Sequence, residues 1–181
     1  MASWSRVARR IRVPLGFVFA ALYLWLAEPR WYSLVIGGAV GAVGLALRAL
    51  ASGHVRKNAE LTTTGPYAWT RNPLYLGSMI IAFGFAVAAR NWWVVLGFLV
   101  LFAAIYVPVV RSEEEFLRSR FPEYDEYARR VPRFGIRLSN LSGTRGQFSR
   151  VLYFQHREYN AIIGAVLLMA ALIAKLVWRV H

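Results

Sequence analysis

Two apolar runs, residues 73–89 and 92–110, are separated only by Arg90 and Asn91. Each is close to the ~20 residues that a helix needs to cross a hydrocarbon core. So short a connection allows only a tight antiparallel hairpin, and a hairpin this apolar belongs in a bilayer. Every other feature of the chain has to be placed relative to it.

Three further runs have the same character. Residues 13–27 follow Arg6, Arg9, Arg10 and Arg12 and end at Glu28-Pro29-Arg30 without the small-x-small site of a secretory signal, so they read as a retained helix. Residues 31–51 carry Gly37, Gly41 and Gly44, whose missing side chains clear one side for close helix contact. No strand precedes these glycines, as a phosphate-binding loop would require. Residues 161–177 hold Lys175 near their end, where a long side chain snorkels to the headgroups. Trp25, Trp31, Trp92, Trp93 and Trp178 lie near the expected ends, as interfacial belts do. With 57% hydrophobic residues, the chain exceeds the roughly 45–50% of soluble domains. The expected fold is an all-α integral membrane protein of about five transmembrane helices, with short cytoplasmic helices after the fourth. It reads as one domain over 1–181: an N-terminal helix pair (13–61), a core (62–136), and a linker with a C-terminal transmembrane helix (137–181).

Charge sets the orientation. The formal net charge is +13, but long apolar spans interrupt the bases, so anionic lipid and not nucleic acid is the expected counter-charge. With the N-terminus inside, eighteen of the 22 Lys and Arg fall in inner segments, and only Arg30, Arg90, Lys175 and Arg179 in outer ones. The positive-inside rule then puts both polar segments flanking the hairpin on the cytoplasmic side and the C-terminus outside. Twenty arginines against two lysines fit a GC-rich bacterial genome, and with it a bacterial inner membrane. The absence of cysteine excludes disulfides, thiolate metal ligands and a thiol nucleophile, and no metal site is expected.

The first polar segment reads TTTGPYAWTRNPLYLG from Thr62 to Gly77. Gly65-Pro66 marks a turn, and Asn72 and Pro73 read as the N-cap and first position of a helix. That helix presents its N-terminus, with unpaired N–H groups and partial positive charge, to the cytoplasmic boundary, where it attracts a carboxylate or phosphate. Arg71 adds a forked cationic donor, Tyr67 and Tyr75 add aromatic faces, and Gly77 permits close approach to the helix.

The second segment, from Arg111 to Phe134, brings Glu113, Glu114 and Glu115 to the point where the fourth helix leaves the bilayer. On a helix these fan out ~100° apart, so at most two face one partner, and an arginine or a ligand ammonium would stabilise them. Glu114–Arg118, Asp125–Arg129 and Glu126–Arg130 have the acid-first i,i+4 spacing of solvated ion pairs, while Glu113 has no base at that offset. Pro122 is expected to start a short helix, with Glu123 at its positive end. Together, an anion-binding helix end, a carboxylate pair and the aromatic Tyr124, Tyr127 and Phe134 suit a zwitterionic amino acid attached to a flat base, as in S-adenosylmethionine. A nucleotide or a lipid headgroup also fits these residues.

Over residues 62–134 the sequence resembles the isoprenylcysteine carboxyl methyltransferases and the related phospholipid amine methyltransferases of membranes. The matching elements are Gly65-Pro66-Tyr67, Arg71-Asn72-Pro73-Leu74-Tyr75-Leu76-Gly77, Glu113-Glu114 with Leu117, Phe121 with Tyr124 and Tyr127, and Val131-Pro132-Arg133-Phe134. The resemblance implies an S-adenosylmethionine pocket with cofactor roles for Tyr67, Asn72, Pro73, Tyr75, Glu113, Glu114, Val131, Pro132 and Phe134. Asn72 stands where the family has histidine: it still donates and accepts hydrogen bonds but does not titrate near neutral pH. Pro122 stands where the family often has glycine.

The implied reaction is an in-line methyl transfer, to which a protein contributes alignment and exclusion of water. A carboxylate acceptor needs no general base, only a cationic anchor, for which Arg71, Arg111 and Arg133 are the candidates. An amine must first lose a proton, and His54 reads as an interfacial loop residue, with His156 and His181 outside the resembling region. The expected substrate is therefore lipophilic, the carboxylate of an isoprenylcysteine-like or other small lipid, entering from the bilayer while the cofactor arrives from the cytoplasm. The rival readings are a phospholipid amine N-methyltransferase, an NADPH-dependent membrane reductase, and a non-catalytic protein whose charges grip lipid headgroups.

Overall fold

The computed structural model describes residues 16–56, 59–136 and 146–180. Arg6, Arg9, Arg10, Arg12, Lys57, Arg137, Arg145 and His181, the start of the first expected span, and most of the 139–147 linker lie outside them. Among the described residues all regular structure is helical: α1 (Gly16–Leu26), α2 (Trp31–Ser52), a 3-10 turn (Gly65–Ala68), α3 (Pro73–Ala89), α4 (Trp92–Leu101), a π-helical turn (Phe102–Tyr106), α5 (Val107–Arg120), α6 (Tyr124–Arg130), α7 (Arg150–Gln155) and α8 (Tyr159–Val180). Three helices are long and apolar enough to cross a membrane, Trp31–Ser52, Trp92–Arg120 and Tyr159–Arg179; Gly16–Leu26 and Pro73–Ala89 are shorter apolar helices. The protein is an integral membrane protein built from this bundle.

The hairpin closes as its sequence requires. Arg90 ends α3 in the left-handed conformation, φ 52°, and its guanidinium lies 5.3 Å from the centre of the Tyr32 ring. Asn91 caps α4 by accepting from the Trp93 N–H at 2.9 Å, while its amide donates to the Leu26 carbonyl at 3.0 Å. The Glu28 N–H donates to the Ala89 carbonyl at 2.8 Å, and the Ser33 hydroxyl to that of Ala88 at 3.1 Å. The Lys175 ammonium donates to the carbonyls of Leu24 and Trp25, the latter at 2.9 Å, where the end of α1 leaves acceptors unpaired. These ties gather α1, α2, α3, α4 and α8 at one end of the bundle.

Along the bundle α2 and α3 pack backbone to backbone. A Cβ on Gly37 would stand 2.8 Å from the Ala88 Cβ, and one on Gly44 would stand 2.7 Å from the Gly77 carbonyl oxygen. Gly84 is equally tight, its added Cβ falling 2.7 Å from the Gly41 nitrogen. In lipid, where no hydrophobic force draws helices together, such contact supplies dispersion along the whole interface.

The helix that starts at Trp92 runs on past Val110. From Trp92 to Arg120 it is one helix of 29 residues, about 44 Å at 1.5 Å per residue and so longer than the hydrocarbon core. Its π-turn precedes Pro108, which has no N–H to continue the α ladder and so favours a local widening. The turn stacks Phe102 on Tyr106 at 5.0 Å and sets Phe102 6.2 Å from Phe134 and Tyr106 5.7 Å from Tyr75.

Candidate active site

At the other end of the bundle the two polar segments meet. Gly65 takes φ +57°, a conformation that favours glycine, and lets the chain turn into the 3-10 segment carrying Tyr67. Asn72 and Pro73 occupy the N-cap and first turn of α3 as expected, but the Asn72 side chain does not cap the helix. Its amide donates instead to Glu114 Oε1 at 3.0 Å and to the Arg133 carbonyl at 3.3 Å. The Arg71 N–H donates to the Pro132 carbonyl at 2.9 Å, and the Thr70 hydroxyl to that of Arg133 at 3.2 Å. The 131–134 segment is thus sewn to the start of α3.

Glu114 is the centre of this seam. Only 3% exposed, it accepts from Arg133 Nε at 3.1 and 3.0 Å and from the terminal Arg133 nitrogen at 2.6 Å, with the Arg71 guanidinium 3.5 Å away. The expected Glu114–Arg118 pair does not form. Arg118 binds Asp125 at 2.7 Å, which displaces the expected Asp125–Arg129 pair as well, while Glu126–Arg130 does form at 3.2 Å. Spacing on one helix favours such pairs only weakly, and a buried carboxylate gains more from two guanidiniums and an amide brought in from other segments. The Glu114 hydrogen bond in turn holds Arg133 more basic than usual. Beneath, Tyr124, Tyr127 and Val131 form a small core with Leu61, Leu117 and Phe121. The short helix begins at Tyr124, one residue after Glu123.

A cavity of about 470 Å³ opens over the seam, within the ~300–1,000 Å³ of small-molecule sites. Of the expected site residues, Tyr67, Arg71, Asn72, Pro73, Tyr75, Glu113 and Tyr127 line it. The Tyr127 hydroxyl donates to the Tyr67 carbonyl at 2.7 Å. Burial above all, and then nearby Tyr127, Glu113 and Glu158, pushes the Tyr67 phenol well above its ordinary value; burial does the same for Tyr127. Both stay neutral hydrogen-bonding walls.

The two adjacent acids divide the work that a carboxylate pair was expected to share. Glu113 is exposed on the cavity and bonds to none of the described residues, whereas Glu114 lies behind the wall, committed to Arg71, Arg133 and Asn72. Arg71 Nε and the Tyr124 hydroxyl are buried together behind the wall, where Arg71 partly offsets the rise that burial causes in the Tyr124 phenol. Val131, Pro132, Phe134 and Tyr124 support the cavity from behind and are not among its lining residues. The close approach permitted by Gly77 is taken by α2, since an added Cβ would meet the Arg48 side chain at 2.6 Å and the Gly44 carbonyl at 2.8 Å. Arg111 is exposed and outside the lining. His54 bonds the carbonyls of Leu50 and Gly146 at 2.7 and 3.2 Å and is also outside it.

Sequence reasoning missed several cavity residues. Tyr106 reaches the site because of the π-turn, which Pro108 could have signalled. Arg48 and Glu158 also line it and pair at 2.8 Å. A charged residue within an apolar helix is itself a functional signal, and Arg48 within α2 is one. Among the described residues no three His, Asp or Glu side chains converge as a metal site.

Comparison with known proteins bears on this geometry. A family model, phospholipid methyltransferase, matches residues 15–124. The chain is 35% identical over 160 residues to the cobalt-zinc-cadmium resistance protein CzcN of Cupriavidus metallidurans, covering 83% of this chain and 73% of that protein. It is 42% identical over 84 residues to the nickel-cobalt-cadmium resistance protein NccN of Alcaligenes xylosoxydans xylosoxydans, covering 46% of this chain and 39% of that one. No solved structure matches.

Proposed function

Because the chain belongs to the phospholipid methyltransferase family, we propose that it is an integral membrane methyltransferase that uses S-adenosylmethionine. Members of this family generally use that cofactor. The observation that carries the reading is the chemistry of the cavity wall: the Glu113 carboxylate, which pairs with none of the described residues, the α3 N-terminus beside the Arg71 guanidinium, and the rings of Tyr67, Tyr75, Tyr106 and Tyr127. Glu113 would hold the ammonium, Arg71 and the first turn of α3 the carboxylate, and the tyrosines the flat base. When bound, S-adenosylmethionine supplies an electrophilic methyl group on a sulfonium.

The protein's own residues align and shield. Glu114, Arg133 and Asn72 fix the segment that backs the start of α3, so the cavity wall that α3 supplies is prearranged. Asn72, placed where the family has histidine, positions Glu114 and moves no proton. We read the acceptor as a lipophilic carboxylate, because such a group carries its own negative charge and, among the described residues, no histidine lines the cavity to deprotonate an amine. We place the active site at the cytoplasmic face of a bacterial inner membrane, with five membrane-crossing helices. The test is a labelled-methyl assay on purified protein with a panel of lipophilic acids, thiols and amines. Label should enter the acids as base-labile methyl esters. No transfer to any lipid, together with binding of NADPH, would replace this reading with that of a reductase.

A further inference from the structure

The bundle holds a second cavity, about 380 Å³, whose lining is almost wholly apolar: Phe19 and Tyr23 of α1, Ile81 and Phe85 of α3, Phe98 of α4, Leu168 of α8. Two residues, Arg48 and Ser78, line both this cavity and the polar one. They are the boundary between a space suited to a hydrocarbon chain and a space suited to a charged cofactor. Arg48 is fully engaged there: Nε and a terminal nitrogen fork onto Glu158 at 3.0 and 2.9 Å, and the other terminal nitrogen donates to the Leu74 carbonyl at 3.2 Å and to the Ser78 hydroxyl.

Glu158 comes from the turn between α7 and α8, beyond the region that the family model matches. Two features aim this turn. Arg157, next to Glu158, takes the left-handed φ of 53°, a conformation that strains a non-glycine residue. His156 Nδ1 holds the turn 3.1 Å from the Ser52 carbonyl at the end of α2. A strained, anchored turn thus delivers one carboxylate to the guanidinium between the two cavities.

We propose that Arg48 anchors the anionic head of a single-chain lipophilic acid whose tail fills the apolar cavity, and that Glu158 is the counter-ion the acid displaces. This rests on the methyltransferase reading only for the chemistry after binding; the anchoring itself needs no cofactor. The charge complementarity is specific. An arginine placed at the end of an apolar cavity is desolvated, and a bidentate carboxylate is the partner its geometry matches. Glu158 satisfies it when no acid is bound and leaves with its own carboxylate facing the polar cavity. The C-terminal extension would then set which lipids enter.

The test measures retention of radiolabelled dodecanoate and of dodecylamine by the full protein in lipid nanodiscs, against protein-free discs and without S-adenosylmethionine. The wild type should retain dodecanoate and not dodecylamine. Arg48→Gln should lose about 10-fold or more of dodecanoate affinity, the worth of one charge-assisted hydrogen bond. Glu158→Gln, which removes the competing carboxylate, should raise it several-fold. Should Arg48→Gln fold poorly with Glu158 left unpaired, the Arg48→Gln/Glu158→Gln double variant restores a neutral pair and should still lose dodecanoate. Equal retention of acid and amine by the wild type, or a lower dodecanoate affinity in Glu158→Gln, would make the pair a structural strut and overturn the proposal. Dodecanoate retention by a protein that does not bind S-adenosylmethionine would leave this inference standing while removing the methyltransferase reading.

Discussion

Replacing Glu114 by alanine strands three donors at once, and the size of the loss depends on where they sit. Arg133 is 43% exposed at its side chain, so water takes over much of its solvation when the carboxylate goes. Arg71 is only 14% exposed, with a terminal nitrogen 3.5 Å from Glu114, so it is left as a buried, uncompensated charge. The Asn72 amide keeps one other bond, to the Arg133 carbonyl. Breaking a buried pair costs ~3–5 kcal/mol; with Arg133 discounted, the lower end applies. At ~2–4 °C per kcal/mol for a chain of this length, the melting temperature should fall by roughly 6–12 °C. The assay is thermal unfolding of wild type and Glu114→Ala in detergent, monitored by tryptophan fluorescence. Glu114→Gln, which keeps the volume and one acceptor, should fall between the two. The opposite pattern is a melting temperature within about 2 °C of wild type, under 1 kcal/mol by the same conversion, together with lost cofactor affinity. That result would make Glu114 a ligand contact and not the centre of the seam.

Four further outcomes are expected. Gly37→Ala drives a methyl group into Ala88 across the α2–α3 interface and should destabilise by about 1–3 kcal/mol. Gly41→Ala, whose own Cβ would meet nothing within 4 Å, should melt close to wild type. Tyr127→Phe leaves the Tyr67 carbonyl without its donor and should cost ~1–3 kcal/mol in the same unfolding assay. Asn72→Ala should lower the melting temperature by weakening the hold on Glu114, without altering the pH dependence of methyl transfer, because the amide carries no titrating proton.

The parts of this molecule that were legible in its sequence are those fixed by local pattern. The hairpin comes from two apolar runs around Arg90-Asn91, and the glycine face of α2 from its spacing. The meeting of the 62–77 and 111–134 segments comes from membrane topology, which leaves both at one end of the hairpin. What stayed hidden depends on tertiary partners. Glu114 read as one of a carboxylate pair facing a cofactor, or as the partner of Arg118 at i+4, while its partners in the structure lie 19 and 42 residues away at Arg133 and Asn72. Arg48 and Glu158, separated by 110 residues, share no sequence signature at all. The bonds of Lys175 to helix-end carbonyls were equally hidden, since they depend on α1 ending within its reach.

If the polar cavity is a cofactor site in which Glu113 meets an ammonium, S-adenosylmethionine must bind there and must depend on that carboxylate. Calorimetric titration into the detergent-purified protein, beside Glu113→Gln and with NADPH as comparator, addresses this directly. One S-adenosylmethionine should bind per chain, and its affinity should drop about 10-fold or more in Glu113→Gln by loss of a charge-assisted contact. That variant should melt as the wild type does, and NADPH should give no heat. Equal affinity in the two proteins, or heat from NADPH alone, would remove Glu113 and the cavity from the role assigned to them.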